Sequence, residues 1–275
     1  MTVEDWPYGP CALVVGASEG LGAAFAEELA ARGSDLVLVA RRQAPLDELA
    51  NRLRSEHGVR VRSTALDAGT PDGIATLARA GEDIGLIVCN AALSPIRPFL
   101  ELTPAQLDAM LDLNCRSAAH LVHAFGPRLV ARGRGGVVLL SSMAANQGSA
   151  LVAHYAATKA YLRVLAEGLW AELGPSGIDV LASCPGPVDT PGFGRSAPTG
   201  RLVPPPMWPS DVARETLAAL GRRPVVVPGR WNRIAAFAAA RLLSRRQAVR
   251  LISSRTRAMY RPGSPRPAPA DEPDR

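Results

Sequence analysis

Lysine is almost absent from this sequence. Of thirty-one Lys and Arg residues in 275, one is a lysine, Lys159. Arginine carries every other basic charge. An ammonium kept at one place in such a background points to work that a guanidinium does not do: lysine is a compact charge on a flexible stem, arginine a rigid planar fork. Aromatic residues are also scarce, at 5%, so the core must be built mainly from Ala, Val and Leu. The four cysteines, Cys11, Cys89, Cys115 and Cys184, lie far apart, with no C-x-x-C pair. No zinc or dithiol motif is present, no metal is expected, and the cysteines read as small buried hydrophobes in a reducing compartment. No apolar run approaches the roughly 20 residues of a membrane span. The first ten residues include acids and no apolar leader. The expectation is a cytoplasmic protein.

The net charge of +6 is unevenly placed. Residues 222–261 hold eleven arginines and no acid; taking these from +6 leaves −5 for the rest of the chain. Three parts follow: a mildly acidic body over 1–228, a basic extension over 229–261, and a proline-rich, charged tail over 262–275 that is expected to be disordered.

Along the body, apolar runs alternate with helical patterns. Ala12-Leu13-Val14-Val15 reads as a buried strand, and Leu21, Phe25 and Leu29 then recur at spacing four. Leu36-Val37-Leu38-Val39 reads as a second strand, followed by a helix marked by Leu46, Leu49 and Leu53. Residues 59–62 alternate as a strand with one wet side; 84–89, 137–140, 178–182 and 225–227 read as further strands. Leu121, Phe125 and Leu129 mark one long helix, and Leu162, Leu165, Leu169 and Leu173 another. The pattern predicts an α/β fold: a Rossmann-like, doubly wound parallel sheet with helices on both faces, forming one domain with a helical extension. Ligands bind such sheets at the carboxyl ends of the strands, near the point where strand order reverses. Residues 190–208, rich in Pro and Gly with scattered Phe193, Leu202, Met207 and Trp208, read as a long loop of the kind that serves as a substrate lid.

After the first strand comes Gly16-Ala17-Ser18-Glu19-Gly20-Leu21-Gly22, opening the first helix. Glycines there let the backbone approach a pyrophosphate, and the helix terminus offers free N–H groups and partial positive charge. The second strand ends Val39-Ala40-Arg41-Arg42, with no acid to take a ribose hydroxyl. Two guanidiniums suit a 2′-phosphate, which favours NADP and leaves NAD as the alternative. Glu19 is a contrary note, since it could lie near the same phosphate.

Tyr155 and Lys159, four apart, share one helix face, and Ser142 follows the strand at 137–140. Carbonyl reduction needs a proton donor at oxygen while hydride arrives at carbon. A free tyrosine titrates near 10, and a neighbouring cation lowers that value. The set resembles the short-chain dehydrogenase/reductase family of the single-domain kind, over about residues 11–227. The resemblance rests on Gly16, Gly20 and Gly22; on Leu66-Asp67; on Cys89-Asn90-Ala91-Ala92; on Asn114; on Ser141-Ser142, Tyr155 and Lys159; and on Pro185-Gly186-Pro187-Val188-Asp189-Thr190.

That resemblance implies an oxidoreductase interconverting a carbonyl and a secondary alcohol. Tyr155 would be the general acid or base, Ser142 would orient the carbonyl, and Asn114 would support a relay water. Lys159 would hold the nicotinamide ribose and tune Tyr155. Ser18 and Leu21 belong to the phosphate loop, Asp67 would contact adenine, and Asn90 would follow the fourth strand. Pro185, Gly186, Val188 and Thr190 would line the nicotinamide. Val15, Cys89 and Ala92 depart from the family's usual Thr, Asn and Gly. The family also implies a homodimer or homotetramer, formed through the long helices ending near Arg132 and Gly174. The apolar lid suggests a hydrophobic small-molecule substrate.

Rival readings are a cofactor-binding regulator without turnover and a peripheral membrane protein using residues 229–261. That extension could pack beside the lid, covering part of the cleft, or lie on an anionic membrane surface. Nucleic acid is not an expected partner, for want of aromatic interleaving or a recognised module. Lys159→Arg tests the lone lysine: activity should fall strongly although the charge is kept, and full turnover would show arginine adequate there.

Overall fold

The computed structural model describes residues 6–79, 83–196 and 205–260. Seven parallel strands form one sheet in the order β3-β2-β1-β4-β5-β6-β7. They are β1 (Cys11–Val15), β2 (Asp35–Ala40), β3 (Val61–Ala65), β4 (Ile84–Cys89), β5 (Gly135–Leu140), β6 (Ile178–Ser183) and β7 (Val225–Val226). The inner strands read as unbroken apolar runs because helices cover both faces and water reaches neither.

The helices are α1 (Gly20–Ala30), α2 (Gln43–His57), α3 (Pro71–Arg79), α4 (Pro104–Leu111), α5 (Ser117–Arg132), α6 (Ala153–Leu173), α7 (Pro191–Arg195), α8 (Pro209–Ala219), α9 (Arg230–Arg241) and α10 (Arg245–Met259). On one face, Phe25 and Leu29 of α1, Leu46 and Leu53 of α2 and Leu217 of α8 pack on Ala12, Val14 and Leu38. On the other, Ile74 of α3, Leu121 and Phe125 of α5 and Leu162 of α6 pack on Leu13, Val15 and Leu139. Alternate residues of each strand thus feed separate cores, as the pleat requires. All four cysteines are buried, and none forms a disulfide.

Strand order reverses between β1 and β4. Their carboxyl ends open a crevice there, and Asn90 N and Ala91 N both donate to the Val15 carbonyl across it.

Three expectations need correction. The third strand begins at Val61, not at residue 59. Gly58 ends α2 in the left-handed region at φ +67°, and Asp35 holds Arg60 by its backbone N–H and guanidinium, so pairing starts at Val61. The lid is not all loop: Thr190 caps α7, accepting from Phe193 N at 3.1 Å, and Val188 bridges to Met207. The seventh strand stops at Val226. Residues 197–204 of the expected lid and the tail at 262–275 lie outside the described residues.

Candidate active site

The glycine loop is built by close approach. Gly16 has φ +86°, and a Cβ on it would lie 2.7 Å from Ala91 N. A Cβ on Gly22 would lie 1.9 Å from the Gly16 carbonyl oxygen. Asn90 locks the turn, its Nδ2 donating to that same carbonyl at 2.9 Å. Gly20 (φ +60°) sits against Thr190, the residue expected at the nicotinamide. Ser18 and Leu21 are partly buried along the loop. No side chain caps the α1 N-terminus and no acid lies in its first turn, so its N–H groups are free to face a phosphate. These features fit a dinucleotide pyrophosphate.

Beyond β2, Arg41 and Arg42 are exposed at the expected ribose position. Arg42 pairs with Glu19 at 2.7 Å, and Arg195 of α7 reaches the same carboxylate. The Arg195 hydrogen bond is the larger cause holding the Glu19 carboxyl below its usual range; burial opposes and Arg42 adds to the lowering. Asp67 accepts from Gly69 N at 2.8 Å, in a tight turn after β3.

The residues expected to be catalytic gather beyond the ends of β4 and β5. Asn114 is 1% exposed and sits in a π-helical turn (Asp112–Arg116) between α4 and α5. That turn carries its side chain inward, as such bulges often do at functional positions. Its Oδ1 accepts from Leu93 N at 2.8 Å; its Nδ2 donates to Leu93 O at 2.9 Å and to Thr158 Oγ1 at 3.0 Å. Thr158 in turn donates to the Tyr155 carbonyl at 2.8 Å. Thr158 was not foreseen, although a hydroxyl beside Lys159 on that helix was a readable signal.

Ser142 is extended and caps the short turn Met143–Asn146, accepting from Ala144 N at 3.1 Å. Met143 N donates to Pro185 O at 2.9 Å, joining this turn to the expected nicotinamide segment. Gly186 packs so closely on Asn232 of α9 that a Cβ would lie 2.6 Å from its Oδ1. Val188 holds the bridge to Met207.

Burial pushes the Tyr155 pKa up, the Ser142 hydroxyl pulls it down, and Tyr260 at the end of α10 pushes it up again. Lys159 is 3% exposed, and its Nζ donates to the Leu140 carbonyl at 2.6 Å, 5.6 Å from the Tyr155 ring centre. Burial drives its pKa down to about 8, against a pull from Cys115 and Cys184. Burial is thus the largest influence on both groups, and the Lys159 ammonium is turned to a strand-end carbonyl.

The extension reaches this site. Ser253 Oγ accepts from Ala150 N at 3.1 Å, Thr256 Oγ1 meets Ser149 Oγ at 2.8 Å, and Arg245 donates to Asn146 O at 2.5 Å. α10 thus braces the stretch running from Ser142 to Tyr155. Leu151, just before α6, has φ +66°, and Arg97 N donates to its carbonyl at 3.0 Å.

The model of the family described as short chain dehydrogenase matches residues 10–199. The chain belongs to the short-chain dehydrogenase family. It is an oxidoreductase acting on the CH–OH and carbonyl pair. It is similar to the 7β-hydroxysteroid dehydrogenase of Clostridium sardiniense, with 31% identity over 229 residues, 82% of this chain and 88% of that one. A solved 7β-hydroxysteroid dehydrogenase superposes with a TM-score of 0.85 at 26% identity, over 92% of this chain and 99% of that one. A short-chain dehydrogenase from Sphingobium yanoikuyae, solved in complex with NADPH, has 34% identity and a TM-score of 0.75 over 85% of this chain and 94% of that one.

Lys159 gives this dehydrogenase one lysine signal in isotope-labelled NMR, which should titrate near 8. Below about 8 both states carry the proton and the native state bears the burial cost. Between about 8 and the ordinary 10.5 the unfolded chain binds a proton that the native state does not, so stability rises with pH. Relative to Lys159→Met, the melting temperature of the parent should climb across that window. A flat difference would contradict it.

Proposed function

We propose that this enzyme transfers hydride between NADP(H) and a ketone or secondary alcohol on a hydrophobic small molecule. The carrying observation is Tyr155 one helical turn before buried Lys159, whose Nζ lies 5.6 Å from the Tyr155 ring centre and donates to Leu140 O, next to Ser142, at strand ends shared with the glycine loop. The bound nicotinamide supplies or accepts the hydride. Tyr155 gives its phenolic proton to the carbonyl oxygen as the new C–H bond forms, and takes it back in oxidation. Ser142 holds that oxygen within reach of Tyr155. Lys159 holds the ribose, its charge favouring the phenolate that proton loss leaves. Asn114, fixed by Leu93 and linked through Thr158 to the Tyr155 backbone, positions the water that returns the proton.

Residues Gly16, Ser18, Gly20, Leu21, Gly22 and Asn90 hold the pyrophosphate side, Asp67 the adenine, and Pro185, Gly186, Val188 and Thr190 the nicotinamide. Arg41 and Arg42, with no acid ending β2, favour NADP; NAD is the alternative. A 2′-phosphate competes with Glu19 for Arg42. A hydrophobic substrate is supported by the apolar residues of the expected lid, among them Phe193, Met207 and Trp208. The similarity to steroid dehydrogenases points the same way. A homodimer through α5 and α6 is supported by Val130, Tyr161, Val164 and Trp170, which remain exposed, and by a groove of about 370 Å³ beside Tyr161.

Tyr155→Phe should abolish ketone reduction while NADPH still binds with unchanged affinity in fluorescence titration. Unchanged turnover would remove Tyr155 from its role. In the same titration, Arg42→Ala should weaken NADPH more than NADH, and a parent enzyme preferring NADH would overturn the reading of both arginines.

A further inference from the structure

The extension is fastened to the body by one side and open on the other. Asn232 of α9 is buried, its Nδ2 donating to Pro228 O at 3.0 Å and lying 3.3 Å from Met207 Sδ. Along the helix, Trp231, Ile234 and Phe237 follow at three-residue intervals. With Leu242 just past the helix end and Trp208, which follows Met207 in the chain, they are 56–73% exposed. Several large apolar side chains left in water on so short a stretch mark a contact surface.

Charge says what kind of surface. α9 and α10 together hold eight arginines and no acid. Among those of α9, Arg233 is paired with Glu215 at 3.0 Å, while Arg230 and Arg241 stand exposed at the two ends of the apolar row. Arg230 stacks over the Trp231 ring at 5.1 Å. Guanidiniums bracketing apolar side chains on one helix face match the layering of a bilayer interface. Phosphates lie at the height of the arginines, the acyl boundary below them, and tryptophan suits the level between. An acidic protein partner would meet the arginines but would have to supply a matching apolar hollow. Among the described residues no helix is long and apolar enough to cross a membrane, so the contact would be peripheral.

We propose that α9, with Trp208 and Leu242, seats this enzyme on the surface of an anionic lipid bilayer. The seat adjoins the bridge between Val188 and Met207, so the docked enzyme holds that end of its cleft near the lipid. The proposal stands independently of the catalytic reading.

Co-sedimentation of the full chain, saturated with NADPH, with phosphatidylcholine vesicles lacking or containing phosphatidylglycerol tests it. Partition should rise about tenfold with the anionic lipid, the scale of one or two arginine contacts, and fall with added salt. Ile234→Asp and Phe237→Asp should each abolish the gain while NADPH titration on the same samples is unchanged. Val164→Asp, on α6, should leave vesicle binding intact. Equal partition to both vesicles, or retained binding by both Asp variants, would overturn the proposal. So would a lipid-free change of oligomeric state in the α9 variants alone, because the face would then join two copies of the chain.

Discussion

The Lys159 ammonium and the Leu140 carbonyl hold the site together. β5 ends at Leu140, and the next two residues are Ser141 and Ser142. Ser141 returns the favour by donating to the Lys159 carbonyl at 2.7 Å. A buried charge is tolerated only where hydrogen bonds receive it. This pair therefore fixes α6 against the sheet end with one allowed register. Tyr155 lies one turn before Lys159, so its distance to Ser142 is set by the same contact. Asn114 joins through Thr158 on that helix. Three separate elements are thus located relative to one buried amine.

Much of this was legible in the sequence. Inner strands reveal themselves as apolar runs because burial on two faces leaves no room for polar side chains, and β1, β2, β4, β5 and β6 were readable for that reason. The glycine loop and the Tyr155–Lys159 pair were readable because their spacing is local. α3, α4 and α8 were not, being short with few apolar positions on which a period could be seen. β3 was placed two residues early because its start depends on Gly58 adopting a left-handed turn and on a tie to Asp35, 25 residues distant. The π-turn at Asn114 left no mark in composition.

Contacts between remote segments were the least legible. Glu19 meets Arg42 and Arg195 across 23 and 176 residues, and only the fold brings a carboxylate between them. Thr256 meets Ser149 across 107 residues. The extension could be read as helical and basic, yet its two faces have different fates. α10 buries Ala248 and Ser253 against the segment ahead of Tyr155, whereas α9 leaves its large apolar residues in solvent. Amphipathic pattern alone could not assign these roles, because it is equally strong in both helices.

Lys159 has one more consequence. Acylation and ubiquitin transfer at lysine side chains need an accessible amine, and this chain has a single lysine, buried with its ammonium donating to the Leu140 carbonyl. Its many arginines are guanidiniums, which those two reactions do not attack. The protein therefore offers them no exposed lysine side chain.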